Sequence, residues 1–94
     1  MDDAATPTRF RVLLSHQAKR ALTTELPDAV AAACFQFIYG ALAENPWRVG
    51  KQLRPPLWPR YSARRGEYRV IYDILEDQSV VRVATIQHRR DVYQ

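Results

Sequence analysis

The stretch Tyr61 to Tyr72, YSARRGEYRVIY, sets three arginines and three tyrosines around one glycine. Its period of two belongs to strands, and the central glycine marks a β-hairpin. Taking Arg65 and Gly66 as a two-residue turn sets Arg64 opposite Glu67, Ala63 opposite Tyr68, Ser62 opposite Arg69 and Tyr61 opposite Val70. Side chains then sort onto two faces. Tyr61, Ala63, Tyr68, Val70, Tyr72 and Ile74 share one. Arg60, Ser62, Arg64, Glu67, Arg69 and Ile71 share the other. A slip of one residue would bury the arginines and expose the tyrosines. Unpaired buried charges cost several kcal/mol each, against a total stability of about 5–15 kcal/mol for a small domain. The tyrosines therefore belong to the core and the arginines to an open face. Like charges held side by side there are mildly destabilising, and a polyanionic ligand would offset them.

The rest of the chain must cover the tyrosine face. Its 94 residues support a single domain, 1–94, with one core between two layers. A functional site on so small a body is a shallow groove rather than a deep pocket. Residues 1–7 read as a loose tail. Residues 8–14, TRFRVLL, read as a first strand with Phe10 and Val12 on one face. Ser15 is a candidate N-cap for a short helix over 16–25, with Ala18, Ala21 and Leu22 inward. Leu26-Pro27-Asp28 breaks it. A second helix runs to about Glu44, with Val30, Cys34, Phe37, Ile38, Ala41 and Leu42 as its apolar stripe. Asn45-Pro46 ends that helix.

Residues 45–59 hold four of the six prolines and both tryptophans, which predicts a stiff loop pinned to the core by Trp47 and Trp58. Strand-like runs follow at about 60–65, 67–75 and 79–87. The expected fold is α+β, in the order β-α-α-β-β-β: a four-stranded antiparallel sheet with a helix hairpin on one face.

Charge is distributed unevenly. The net charge is +4, and 12 of the 14 basic residues are arginine. Seven basic residues and a single acid, Glu67, lie between Arg48 and Arg69. Arginine clusters of this kind fit phosphate or carboxylate partners. No apolar run approaches the ~20 residues needed to cross a bilayer, and the acidic start MDDAATPTRF is unlike a secretory signal. The expectation is a cytoplasmic protein. Cys34, the single cysteine, lies among apolar helix residues and has no neighbour that would activate it.

The element order, the run GKQLRPPLWPRYSARRGEYRVIYDI and the ending IQHRRDVY resemble the RelE/ParE superfamily of bacterial toxins, over nearly the whole chain from about Arg9. The resemblance to the RelE-like branch implies the toxin of a type II toxin–antitoxin system. Such toxins are ribosome-dependent, metal-independent endoribonucleases. They cut mRNA in the A site through attack by a ribose 2′-OH, inhibit translation, and use no cofactor. The implied partners are a cognate RelB-like antitoxin, the ribosome and mRNA. Operator DNA is reached only through the antitoxin, and no membrane is involved. Two alternatives stay open: a ParE-like inhibitor of DNA gyrase, or a catalytically inactive relative that persists bound to its antitoxin.

Carried onto this sequence, the resemblance assigns Arg69, Arg89, Tyr93 and Arg64 to catalysis. Arg60, Ser62, Lys51 and Arg54 are assigned to RNA binding, and no residue to a metal. Arginines would clamp the scissile phosphate and stabilise its developing charge. One departure from the family pattern matters. The branch carries two lysines on the strand before its Tyr-Arg motif, one implicated as the base. Here those positions hold Arg60 and Ser62. Arginine, with a pKa near ~12.5–13.8, is a poor proton acceptor. The base is therefore unassigned, with His88 and Tyr93 as candidates, and His16 reads as a surface residue.

Overall fold

Ser15 ends the first strand and starts the first helix, and both events are visible in its contacts. In the computed structural model, which describes residues 9–88, β1 spans Arg11–Leu14. The Ser15 side chain accepts from the Ala18 amide at 3.0 Å, the capping bond expected from sequence. Helix α1 covers His16–Arg20 and continues as a wider π-type turn over Ala21–Glu25. Helix α2 covers Asp28–Phe37 and loosens in the same way over Ile38–Leu42. The inward positions are largely those expected. Ala18, Ala21, Cys34, Ile38 and Leu42 are buried, with Leu22, Val30 and Phe37 packed against them. Ala41 is exposed, and Ala43 is buried in its place.

The sheet differs from expectation in two respects. It has five strands, in the order β1-β5-β4-β3-β2, where β2 is Lys51–Gln52, β3 Tyr61–Arg65, β4 Tyr68–Leu75 and β5 Val80–His88. It is also mixed. β1 pairs parallel to β5, from Arg11 opposite Val80 to Leu14 opposite Val83, while the other pairs are antiparallel. The connectivity explains this. After the helices the chain crosses to the far edge and meanders back, so β5 arrives beside β1 pointing the same way. The apolar pattern of β1 dictated which face it buries, not which direction its neighbour runs.

The hairpin closes two residues away from the pairing expected. Arg65 pairs with Tyr68, Arg64 with Arg69, Ala63 with Val70, Ser62 with Ile71 and Tyr61 with Tyr72. Gly66 and Glu67 form the turn, and Gly66 has φ +62°. That is the first central position, where a type II′ turn favours glycine. A displacement of two preserves parity, so each strand side chain keeps its expected face. Ala63, Val70 and Tyr72 are buried; Tyr61, Tyr68 and Ile74 pack against them. Arg65 falls on the helix side, where its guanidinium lies 5.7 Å from the centre of the Phe37 ring.

β5 contains a bulge. Ile71 opposes Thr85 but Tyr72 opposes Val83, leaving Ala84 between them. The core set of β5 is therefore Val81, Val83 and Ile86, with a change of parity that alternation from the sequence could not show. The Ser15 hydroxyl donates to the Ala84 carbonyl at 2.5 Å, tying the bulge to the first helix cap.

Candidate functional site

The face opposite the helices carries Arg64 and Arg69 as direct cross-strand neighbours. They border a groove of about 620 Å³ between the hairpin and the 48–53 segment. Arg48 and Lys51 line its other wall, Ser62 contributes from β3, and no acid among the described residues takes part. Among the described residues, none of these four cations makes an ion pair. Four uncompensated positive charges in one groove make an anion site, and two guanidinium forks side by side fit phosphate oxygens.

Local structure fixes this wall. Lys51 pairs with Ser62, and Gln52 with Tyr61. Gly50 lies so close to the hairpin that a Cβ there would clash with the Tyr72 hydroxyl and stand 2.8 Å from the Ser62 carbonyl oxygen. Glycine permits that approach. The Tyr72 hydroxyl donates to the Pro46 carbonyl at 2.7 Å from a fully buried ring. Burial, with a smaller contribution from Tyr61, pushes its phenol well above the usual range. Tyr72 is a fastener and stays neutral; it has no part in proton transfer. The loop is thus held at its start by the bond between Pro46 and Tyr72 and by Trp47, whose ring lies edge-on to the core-packed Phe10. Trp58 is 58% exposed, so the expectation that both tryptophans pin the loop is corrected for Trp58.

The expected site residues divide. Arg64, Arg69, Ser62 and Lys51 come together in the groove. Arg60 lies further along the same face, 3.3 Å from the Asp73 carboxylate, which also binds Arg82 at 3.0 Å. Arg54 is exposed in the proline-rich loop, outside the groove lining; its carbonyl accepts from the Leu57 and Trp58 amides. Arg89 and Tyr93 lie outside the described residues, as does the tail over 1–7. Arg48 was missed as an individual residue, although its position in the basic block was a usable signal.

Neither histidine reaches the groove. His88 pairs with Tyr68 on the helix side of β5, its ring edge-on to that tyrosine at 4.8 Å, whereas Gln87 is the partner of Arg69. His16 is exposed on α1. Cys34 is buried, and its thiol is pushed up by desolvation, with Arg65 opposing only in part. It suits packing rather than nucleophilic attack.

Comparison with known proteins finds relatives in both sequence and fold. Residues 12–93 match the family described as the ParE toxin of type II toxin–antitoxin system, parDE. The chain is 42% identical over 84 residues to the protein named Toxin RelE of Mycobacterium tuberculosis, covering 89% of this chain and 86% of that one. It is 42% identical over 69 residues to Toxin RelG of the same organism, covering 73% and 79%. The toxin–antitoxin complex RelBE2 from M. tuberculosis contains a chain of similar structure, with a TM-score of 0.83 and 37% identity, over 89% of this chain and 95% of that one. The isolated E. coli RelE toxin shares the fold, with a TM-score of 0.69 and 18% identity, over 89% of this chain and 90% of that one.

Proposed function

The chain belongs to the ParE toxin family of type II toxin–antitoxin systems, with relatives named RelE and RelG, and on that premise we propose that it is a RelE-like endoribonuclease that cuts mRNA in the ribosomal A site. The observation that carries this reading is the pairing of Arg64 with Arg69 in a groove lined, among the described residues, by four cations and no acid. An RNA phosphodiester supplies the negative charge that such a groove lacks.

In the proposed reaction the ribose 2′-oxygen attacks the adjacent phosphorus. The O2′–P bond forms, the P–O5′ bond breaks, and a 2′,3′-cyclic phosphate and a 5′-hydroxyl result. Arg69 and Arg64 hold the non-bridging oxygens and stabilise charge that grows in the transition state. Lys51 and Arg48 hold the flanking backbone. The groove's own side chains are arginine, lysine and serine, none a good proton acceptor at neutral pH. The proton from the 2′-oxygen therefore passes to water; we assign Tyr93, a neutral phenol at neutral pH, to protonate the departing 5′-oxygen and to be reprotonated from solvent, and Arg89 to further charge stabilisation. Ribosomal positioning of the mRNA would supply the in-line geometry. Guanidinium groups provide the positive charge, so the scheme needs no metal.

A RelB-like antitoxin is the partner this reading implies, since similar chains occur in solved toxin–antitoxin complexes. An acidic segment that folds on binding would neutralise the groove by covering it. The site of action is the cytoplasm, where mRNA is translated.

A second reading, inhibition of DNA gyrase, is favoured by the family's ParE description. One experiment separates the two. Purified protein is added to a translation reaction and mRNA 5′ ends are mapped, with gyrase supercoiling assayed in parallel. Cuts in register with the A site support the ribonuclease. Blocked supercoiling with intact mRNA supports the gyrase inhibitor.

A further inference from the structure

A second groove, of about 680 Å³, lies at the end of the hairpin away from its turn, where Arg60, Asp73 and Arg82 of the open face meet the proline-rich loop and the edges of Trp47, Tyr61 and Ile74. Its construction is different. Trp58 and Leu57, 58% and 54% exposed, form one side. Arg60 and Arg82 are balanced there by Asp73 and Glu76. The side chain of Asp73 is only 15% exposed and holds both arginines, at 3.3 and 3.0 Å. Two large apolar side chains are thus held in water by a proline-rich loop, beside a polar cluster whose orientation is fixed.

We propose that this second groove binds a nucleobase of the RNA strand whose phosphate occupies the Arg64–Arg69 groove. The inference rests on the ribonuclease reading and extends it to a base-binding subsite. Charge partition along the sheet is the first argument. The charged side chains described in the Arg64–Arg69 groove are all cations, and they fit phosphate. The Trp58 groove is charge-balanced and aromatic, and fits an uncharged, flat heterocycle. An indole offers a stacking face to any base. Asp73 and Arg60 offer an acceptor and donors that meet a base edge.

Continuity is the second argument. Arg64, Ser62 and Arg60 succeed one another on one face of the hairpin, opposite Arg69, Ile71 and Asp73. The four residue steps from Arg69 to Asp73 span about 13 Å of strand. A single strand anchored at the first groove reaches the second within a nucleotide or two. Trp58 then supplies stacking and the Arg60–Asp73 pair supplies base preference.

The test uses the full-length toxin and a short single-stranded RNA made uncleavable by 2′-O-methylation, at low salt. Trp47→Phe leaves Trp58 as the only indole, since the chain has two tryptophans. RNA should quench its fluorescence, whereas an abasic oligomer of the same length should bind without quenching. Trp58→Ala should weaken RNA binding by about five- to hundred-fold, Trp58→Phe should retain most of it, and the melting temperature should stay unchanged. Wild-type protein that binds RNA while Trp58→Ala binds equally well would overturn the inference and leave the ribonuclease reading standing. Wild-type protein that binds no RNA would overturn the inference, while the ribonuclease reading is decided separately by mRNA cleavage on ribosomes. Unchanged RNA binding with a weakened antitoxin complex in Trp58→Ala would assign the groove to the antitoxin instead.

Discussion

Arg64 and Arg69 face each other across β3 and β4, with no acid among the described residues of the groove they border. Like charges directly opposite on a sheet destabilise it, so the pair points to a ligand rather than to folding. Replacing Arg69 by glutamine, which keeps the stem, should leave stability unchanged or raise it by about 0.2–1 kcal/mol. The same change should lower mRNA cleavage by about 10²–10³-fold. Urea unfolding and a cleavage assay on one preparation read both effects.

Salt dependence reports how many phosphates the groove engages. Single-stranded nucleic acid gives a slope of about −0.7 in log K against log salt for each phosphate neutralised. Arg48, Lys51, Arg64 and Arg69 together predict a slope of about −3 for RNA binding. Arg69→Ala should make that slope shallower by about 0.7.

Much of this arrangement was legible in the sequence. The alternation of tyrosine and arginine assigned the tyrosines, Arg64 and Arg69 to their faces, because the burial cost of arginine admits one parity; Arg65, read as a turn residue, instead ends β3 on the helix side. The turn was misplaced by one residue, since Gly66 stands first in it rather than second. The faces survived because the resulting shift in pairing is even. Other features carried no period to read. β2 has two residues, neither apolar. Ala84 fits either face, so the bulge was silent. Trp58 looked like an anchor by type alone, but its exposure depends on a loop path that composition does not encode.

The Tyr72 hydroxyl joins the loop to the core through Pro46. Tyr72→Phe should cost about 1 kcal/mol, leaving that carbonyl without its donor. The raised phenol also gives a signature in pH. A phenol that holds its proton more tightly when folded stabilises fully below its unfolded pKa of ~10, and that contribution erodes as pH rises above it. Alkaline unfolding curves of the wild type should steepen above pH ~10 relative to Tyr72→Phe.

Gly50 fits where no side chain does. Its virtual Cβ meets the backbone oxygen of Ser62 as well as the Tyr72 hydroxyl, so repacking one flexible side chain offers no relief. Gly50→Ala should destabilise by about 1–3 kcal/mol. It should also move Lys51 away from Ser62 and weaken RNA binding. Thermal melts and an RNA titration of the folded fraction check both.

The central claim is that the Arg64–Arg69 groove holds the scissile phosphate, and cleavage on translating ribosomes tests it most directly. Wild-type protein and a folded Arg64→Ala, Arg69→Ala double variant are compared by mapping mRNA 5′ ends. A-site cuts are expected from the wild type and none above background from the double variant, with melting curves that match. Undiminished A-site cutting by the folded double variant would contradict it.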